Sequence, residues 1–126
     1  MVASVTDEHV NAGAEADSLP IDVETITETV DVAWGMSLST STRKDIDART
    51  AELIGHLNLL VGQRLDEDEN RGTLRLLRAV ERHLVASNRP TSRTQAHDAY
   101  NYLRDTAIFT STLLGTYQQV HGVKEG

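Results

Sequence analysis

The chain has no cysteine among its 126 residues. That absence excludes disulfides, thiolate metal sites and cysteine nucleophiles together, and an intracellular, cytoplasmic protein is the default expectation. Aromatic residues are almost as scarce: one Trp, one Phe and three Tyr. Leu, Val and Ile must therefore supply the core. No window approaches the ~18 uninterrupted apolar residues of a membrane span. The first residues lack the basic-then-apolar order of a secretory signal, so none is expected.

Signatures of catalysis are missing as well. There is no Gly-rich phosphate loop, no nucleotide fingerprint and no Ser-His-Asp spacing. A carboxylate-bridged di-metal bundle needs Glu-x-x-His on two helices. The chain contains no Glu-x-x-His and no His-x-x-x-His, and His9, His56, His83, His97 and His121 fall on different segments. No catalytic residue, metal or cofactor is assigned.

What is present is helical periodicity. From Arg43 to Leu65 the apolar residues Ile46, Leu53, Ile54, Leu57, Leu60, Val61 and Leu65 recur at the spacing of an α-helix, with Arg49 or Thr50 filling the one missed turn. An earlier helix over 22–36 is predicted from Val23, Ile26, Val30, Ala33 and Trp34, with Asp22 as N-cap after Pro20. A third begins near the acidic run Asp66–Glu69, has Leu74, Leu77, Val80, Leu84 and Val85 on its core side, and stops at Asn88-Arg89-Pro90. Ser92 with Gln95 reads as a capping box opening a fourth helix that continues to about Val120. Its core positions are Ala96, Ala99, Tyr100, Leu103, Ala107, Ile108, Leu114 and Tyr117.

The fold class is all-α: an antiparallel bundle of about four helices spanning 20–120, one domain of modest core. Residues 1–19 read as a disordered acidic tail and 121–126 as a frayed end. At ~42 Å against ~35 Å for the central helix, the fourth helix outlasts its neighbours, which points to a homodimer.

Charge is unevenly spread over a net −7: residues 1–42 hold eight acids and no Lys or Arg, whereas residues 71–93 hold six arginines and one acid. Arg71, Arg75, Arg78 and Arg82 form one stripe of the third helix. Glu24, Glu28 and Asp31 form a stripe of opposite sign and similar spacing on the first. The two stripes are expected to be solvated or to face each other as an ion-pair ladder; a partner surface is the functional reading. The acidic total argues against direct nucleic-acid binding. The other candidate is Gly55 with His56, four residues after Glu52. Gly inside a helix costs ~1 kcal/mol against Ala, and a helix crossing or a bound ligand would explain it. His97, Tyr100, Tyr102 and Arg104 form only a weak stacking patch, since Tyr100 and Leu103 are needed for the core.

The opening Arg43-Lys44-Asp45-Ile46-Asp47 resembles the start of helical chorismate mutases. Those need cationic side chains farther along the helix, where this chain has Leu60, so that function is set aside. Leu53-Ile54-Gly55-His56-Leu57-Asn58-Leu59-Leu60, with Ile21–Ile26 upstream and Tyr117-Gln118-Gln119 downstream, resembles a small actinobacterial domain family of unknown function generically labelled natural-product biosynthesis. The likeness covers roughly residues 20–120. It implies an association with secondary-metabolite loci and supplies no catalytic residues. The functional expectation is a non-enzymatic accessory or regulatory protein that binds another protein. Two alternatives are an acidic DNA mimic using Glu24, Glu28 and Asp31, and a small-molecule binder or enzyme beside Gly55 and His56.

Overall fold

The structure, a computed structural model, describes residues 21–63, 65 and 70–121. Among them are four α-helices and no strand: α1 Val23–Gly35, α2 Arg43–Val61, α3 Arg71–Leu84 and α4 Ala96–His121, with a 3₁₀ turn at Ala86–Asn88. The expectations for residues 1–19, for the acidic turn at 66–69 and for the last five residues lie outside the described residues. Three helices begin on side-chain caps. Asp22, Thr42 and Asn70 accept from the backbone N–H of Thr25, Asp45 and Thr73, each at 3.0 Å.

Two boundaries differ from the sequence reading. α2 ends at Val61, with Gly62 as C-cap; Leu65 is still buried, beyond the helix. α4 begins at Ala96, and the Ser92 capping box does not form. Thr91 and Thr94 close a turn there instead: Thr91 N–H donates to Thr94 Oγ1 at 2.8 Å and Thr94 N–H to the Thr91 carbonyl at 3.0 Å. Arg43 then takes the Thr91 carbonyl at 2.7 Å and the Thr94 carbonyl beside it. The local turn and this long-range cation together override the capping signal.

The Arg43 bonds also fix topology, because they join the start of α2 to the start of α4. Those two helices therefore run parallel. The Tyr100 hydroxyl donates to the Met36 carbonyl at 3.0 Å, so α1 ends where α4 begins. α3 returns from Val61, the last residue of α2, to Tyr102 in the second turn of α4. Consecutive helices thus alternate in direction around a central α2–α4 pair. α1 packs on both members of that pair, and α3 packs on α4.

α1 meets α4 where the Arg104 guanidinium lies 5.4 Å from the Trp34 ring and 6.0 Å from the Tyr100 ring. α3 meets it at Tyr102 and Phe109. At 3.6 residues per turn those two faces of α4 are roughly 170° apart. α1 and α3 consequently occupy opposite flanks.

The core consists of Ile46, Leu53, Leu57 and Leu60 of α2, Ala99, Leu103, Ala107, Leu113 and Leu114 of α4, and Ile26, Val30 and Ala33 of α1. Each fully buried Leu or Ile contributes about 1.5–3 kcal/mol. α3 adds only Val80 and Thr73 to the buried set. Three buried threonines occupy core positions by returning their hydroxyls to the preceding turn. Thr50 donates to Ile46 O at 2.8 Å, Thr106 to Tyr102 O and Thr110 to Thr106 O at 2.7 Å each.

Four residues assigned to the core by periodicity are exposed: Trp34 (42 %), Val85 (49 %), Ile108 (46 %) and Ala96. The buried face of α4 runs through Leu103, Ala107, Thr110 and Leu114, which turns Ile108 outward. Trp34 lies on the flank of α1, over Arg104. Val85 follows the end of α3, and Ala96 precedes the first turn of α4 that meets the core. Leu53→Ala should cost about 2–5 kcal/mol in urea unfolding, whereas Ile108→Ala should stay within about 0.5 kcal/mol of wild type. Equal losses would contradict this assignment of the α4 face.

Candidate functional site: the basic face of α3

His56 joins α2 to α1. Its Nε2 lies 3.1 Å from Thr29 Oγ1, and the Thr29 hydroxyl sits 3.0 Å from the Thr25 carbonyl. A hydroxyl has one proton. With that proton given to Thr25 O, the imidazole must donate from Nε2, which assigns its neutral tautomer. Burial pushes the His56 pKa below its ordinary value, against the nearby charges of Glu52 and Asp22. Glu52 itself is held by Arg49 Nη1 rather than by His56.

Gly55 is exposed, and a Cβ built on it would meet nothing within 4 Å. Neither a helix crossing nor a close backbone approach within this chain explains that glycine, which corrects the helix-crossing part of the sequence reading. None of Glu52, Gly55 and His56 lines any of the three depressions described below.

A second histidine, missed at the sequence level, does more. His83 stacks on Tyr102 with ring centroids 4.0 Å apart and planes 11° from parallel, and tilts against Phe109 at 5.1 Å. Its Nε2 lies 2.7 Å from Thr106 Oγ1, while the Tyr102 hydroxyl donates to the His83 carbonyl at 2.7 Å. Thr106 has already given its proton to Tyr102 O, so His83 too donates from Nε2. Burial lowers the His83 pKa; Asp105 opposes that and Arg89 adds to it. Burial likewise raises the Tyr102 pKa, which Arg89 partly offsets.

Two further carbonyls at this helix end are capped by side chains. Asn88 Nδ2 bonds Arg82 O at 2.7 Å, and Arg89 Nε bonds Leu84 O at 2.9 Å. The sequence signal for the cluster was modest: Thr106 falls on the buried face of α4, where a polar side chain needs partners.

The opposite end of α3 is looser. Leu74, Leu76 and Leu77 are only part-buried. A cleft of about 290 Å³ opens between Val61 of α2 and Leu74, Leu77, Arg78 and Glu81 of α3. It adjoins another of about 270 Å³ lined by Arg71, Leu74, Arg75 and Arg78. A third depression, about 410 Å³, lies over the His83 cluster and includes Ala79, Arg82 and Asn88. Arg71, Arg75, Arg78 and Arg82 are all exposed.

Glu24, Glu28 and Asp31 are exposed together on the face of α1 turned away from the core. The ion-pair ladder allowed by the sequence does not form: among the described residues the ion pairs are Arg43–Asp47, Arg49–Glu52 and His97–Asp98. The reason is topological, since α1 and α3 flank α4 on opposite sides. Both stripes are solvated faces. Compared with family models, curated proteins and solved structures, the chain matches none of them.

Two outcomes check this geometry. Gly55→Ala should stabilise the protein by about 0.5–1 kcal/mol, since the methyl meets open space and helix propensity improves. Destabilisation would reveal a close neighbour at that position. For the histidines, the ordinary pKa is 6.5 and both folded values lie below it. Well above pH 6.5 both are neutral whether folded or unfolded. Below it the unfolded chain takes up protons that the folded chain resists, so stability should fall as the pH drops through the folded values. Thermal melts of wild type should be flat from about pH 7 to 8 and decline on acidification. In a His56→Gln/His83→Gln variant the decline should be shallower; an unchanged slope would assign it to other groups.

Proposed function

We propose that the protein is a non-enzymatic accessory or regulatory protein that binds another protein through α3. One observation carries this reading: the exposed Arg71, Arg75 and Arg78 border part-buried leucines and open clefts, without an ion-pair partner among the described residues. Pockets that enclose small molecules usually run about 300–1,000 Å³ and bury most of the ligand. The two clefts beside the arginines fall at or under that floor and are open. They suit protruding side chains better than an enclosed substrate. By its resemblance to the actinobacterial family, the chain's partner is best sought among proteins encoded with natural-product loci.

The opposing acidic stripe supports a second reading, in which Glu24, Glu28 and Asp31 occupy the phosphate-binding surface of a nucleic-acid-binding protein. A single experiment separates the two. Tagged wild type, Arg75→Glu/Arg78→Glu and Glu24→Gln/Glu28→Gln/Asp31→Asn proteins are used to capture partners from nuclease-treated host lysate, with mass-spectrometric identification. The α3 variant should lose the stoichiometric partner, retaining at most about a tenth of it, while its melting temperature stays near wild type because both arginines are exposed. Full retention there with loss in the α1 variant would replace the first reading with the mimic.

A further inference from the structure

Resting on the reading of α3 as a partner surface, we infer that its clefts receive an acidic amphipathic helix of the partner protein. The floor is apolar: Leu74 and Leu77 on α3, with Val61 on α2 as the facing wall. The rim is basic, carrying Arg71, Arg75 and Arg78, with Glu81 its acid. Leu74 and Arg78 line both clefts, so the two form one trough. The occupant therefore needs aliphatic side chains pointing into the trough and carboxylates along one edge.

Spacing selects a helix over an extended segment. Arg71, Arg75, Arg78 and Arg82 advance by 4, 3 and 4 residues, which is about 16 Å along the axis in steps of about 6, 4.5 and 6 Å. Carboxylates at i, i+4, i+7 and i+11 of a second helix repeat those steps. One face of a strand presents side chains every ~6.6 Å and drifts out of register within three steps. An extended peptide also gains most by pairing its backbone with a sheet edge. Helices α2 and α3 offer none. Helix-in-groove is the mode that these walls permit.

Other occupants fit less well. Phosphates would use the arginines but leave the leucines without a function, and they would meet Glu81 and the acidic total. A lipid surface requires apolar side chains turned outward, whereas Leu74 and Leu77 face the cleft. A second copy could offer its own α1 stripe. Because α1 and α3 lie on opposite flanks, that contact is head-to-tail and builds rings or open polymers in place of a two-fold dimer.

The test uses the full chain and a fluorescent, end-capped helical peptide with glutamates at i, i+4, i+7 and i+11 and leucines at i+3, i+6 and i+10. Three further probes accompany it: a Glu→Gln peptide, a Leu→Ser peptide and a duplex DNA. Anisotropy should show saturable binding of the Glu/Leu peptide, weakened at least tenfold by Arg75→Glu/Arg78→Glu and by Leu77→Ser. Both control peptides should bind at least tenfold more weakly, and the DNA more weakly still. Equal binding of the Leu→Ser peptide would overturn the inference in favour of unspecific charge attraction. So would stronger binding of DNA, no binding of the Glu/Leu peptide at millimolar concentration, or competition by salt-sensitive polymers of the chain itself. If the peptide fails while lysate capture still depends on Arg75 and Arg78, α3 remains the partner surface and only the acidic helix is rejected.

Discussion

The parallel contact between α2 and α4 is the constraint from which the rest follows. Ala99 and Ala107 are fully buried on α4, where their small side chains let the two backbones approach, and Leu53, Leu57, Leu60 and Leu103 fill the seam. Parallel neighbours cannot be joined by a tight turn. The chain must return along the bundle between them, and α3 is that return. α1 enters from the other side and covers the remaining groove with Ile26, Val30 and Ala33. Two helices of opposite surface charge are thereby kept apart by the helices that carry the core.

α3 illustrates how little of a connecting element the fold requires to be buried. Its last turn is fixed to α4 by a stacked imidazole and a tyrosine hydroxyl and closed locally by two capping side chains from the segment that follows it. Its first two turns have Thr73 as their buried residue, beside leucines that stay part-exposed. Stability within a fold is not uniform, and segments with few buried apolar contacts open at the lowest cost. α3 is thus held more firmly at its C-terminal end than along Leu74 and Leu77.

Helix existence was legible from the sequence because apolar spacing and polar caps agree. Asp22 and Thr42 cap where the local pattern says they should, and Ile46, Leu53, Leu57 and Leu60 are buried as the 3.6-residue period requires. The failures have different causes, some distant and some local. Ser92 lost its cap to a turn stabilised by Arg43, 49 positions earlier in the chain. Thr106 and Thr110 are core residues although polar, because back-bonding to their own helix satisfies their hydroxyls. Gly55 suggested a site through its cost alone, and no cost-based argument can tell an occupied approach from open space. Of the candidate site, the arginine spacing was readable. The apolar trough beside it was not, since Val61 comes from another helix and meets Leu74 and Leu77 only in three dimensions.

The separation of charge also bears on how α3 could act. Exposed ion pairs contribute about 0–1 kcal/mol each, so four arginines alone would give weak attachment to any acidic surface. Their value lies in orientation and encounter rate, because like-charged surfaces are disfavoured and opposite ones steered together. Affinity must come from desolvating apolar side chains, at about 25 cal/mol per Å², and the trough beside the stripe is where α3 leaves such surface accessible. The chain thus presents carboxylates along α1 and arginines beside part-buried leucines along α3, on opposite flanks of α4. That asymmetry, set by the topology of the bundle, makes selective attachment through α3 physically coherent.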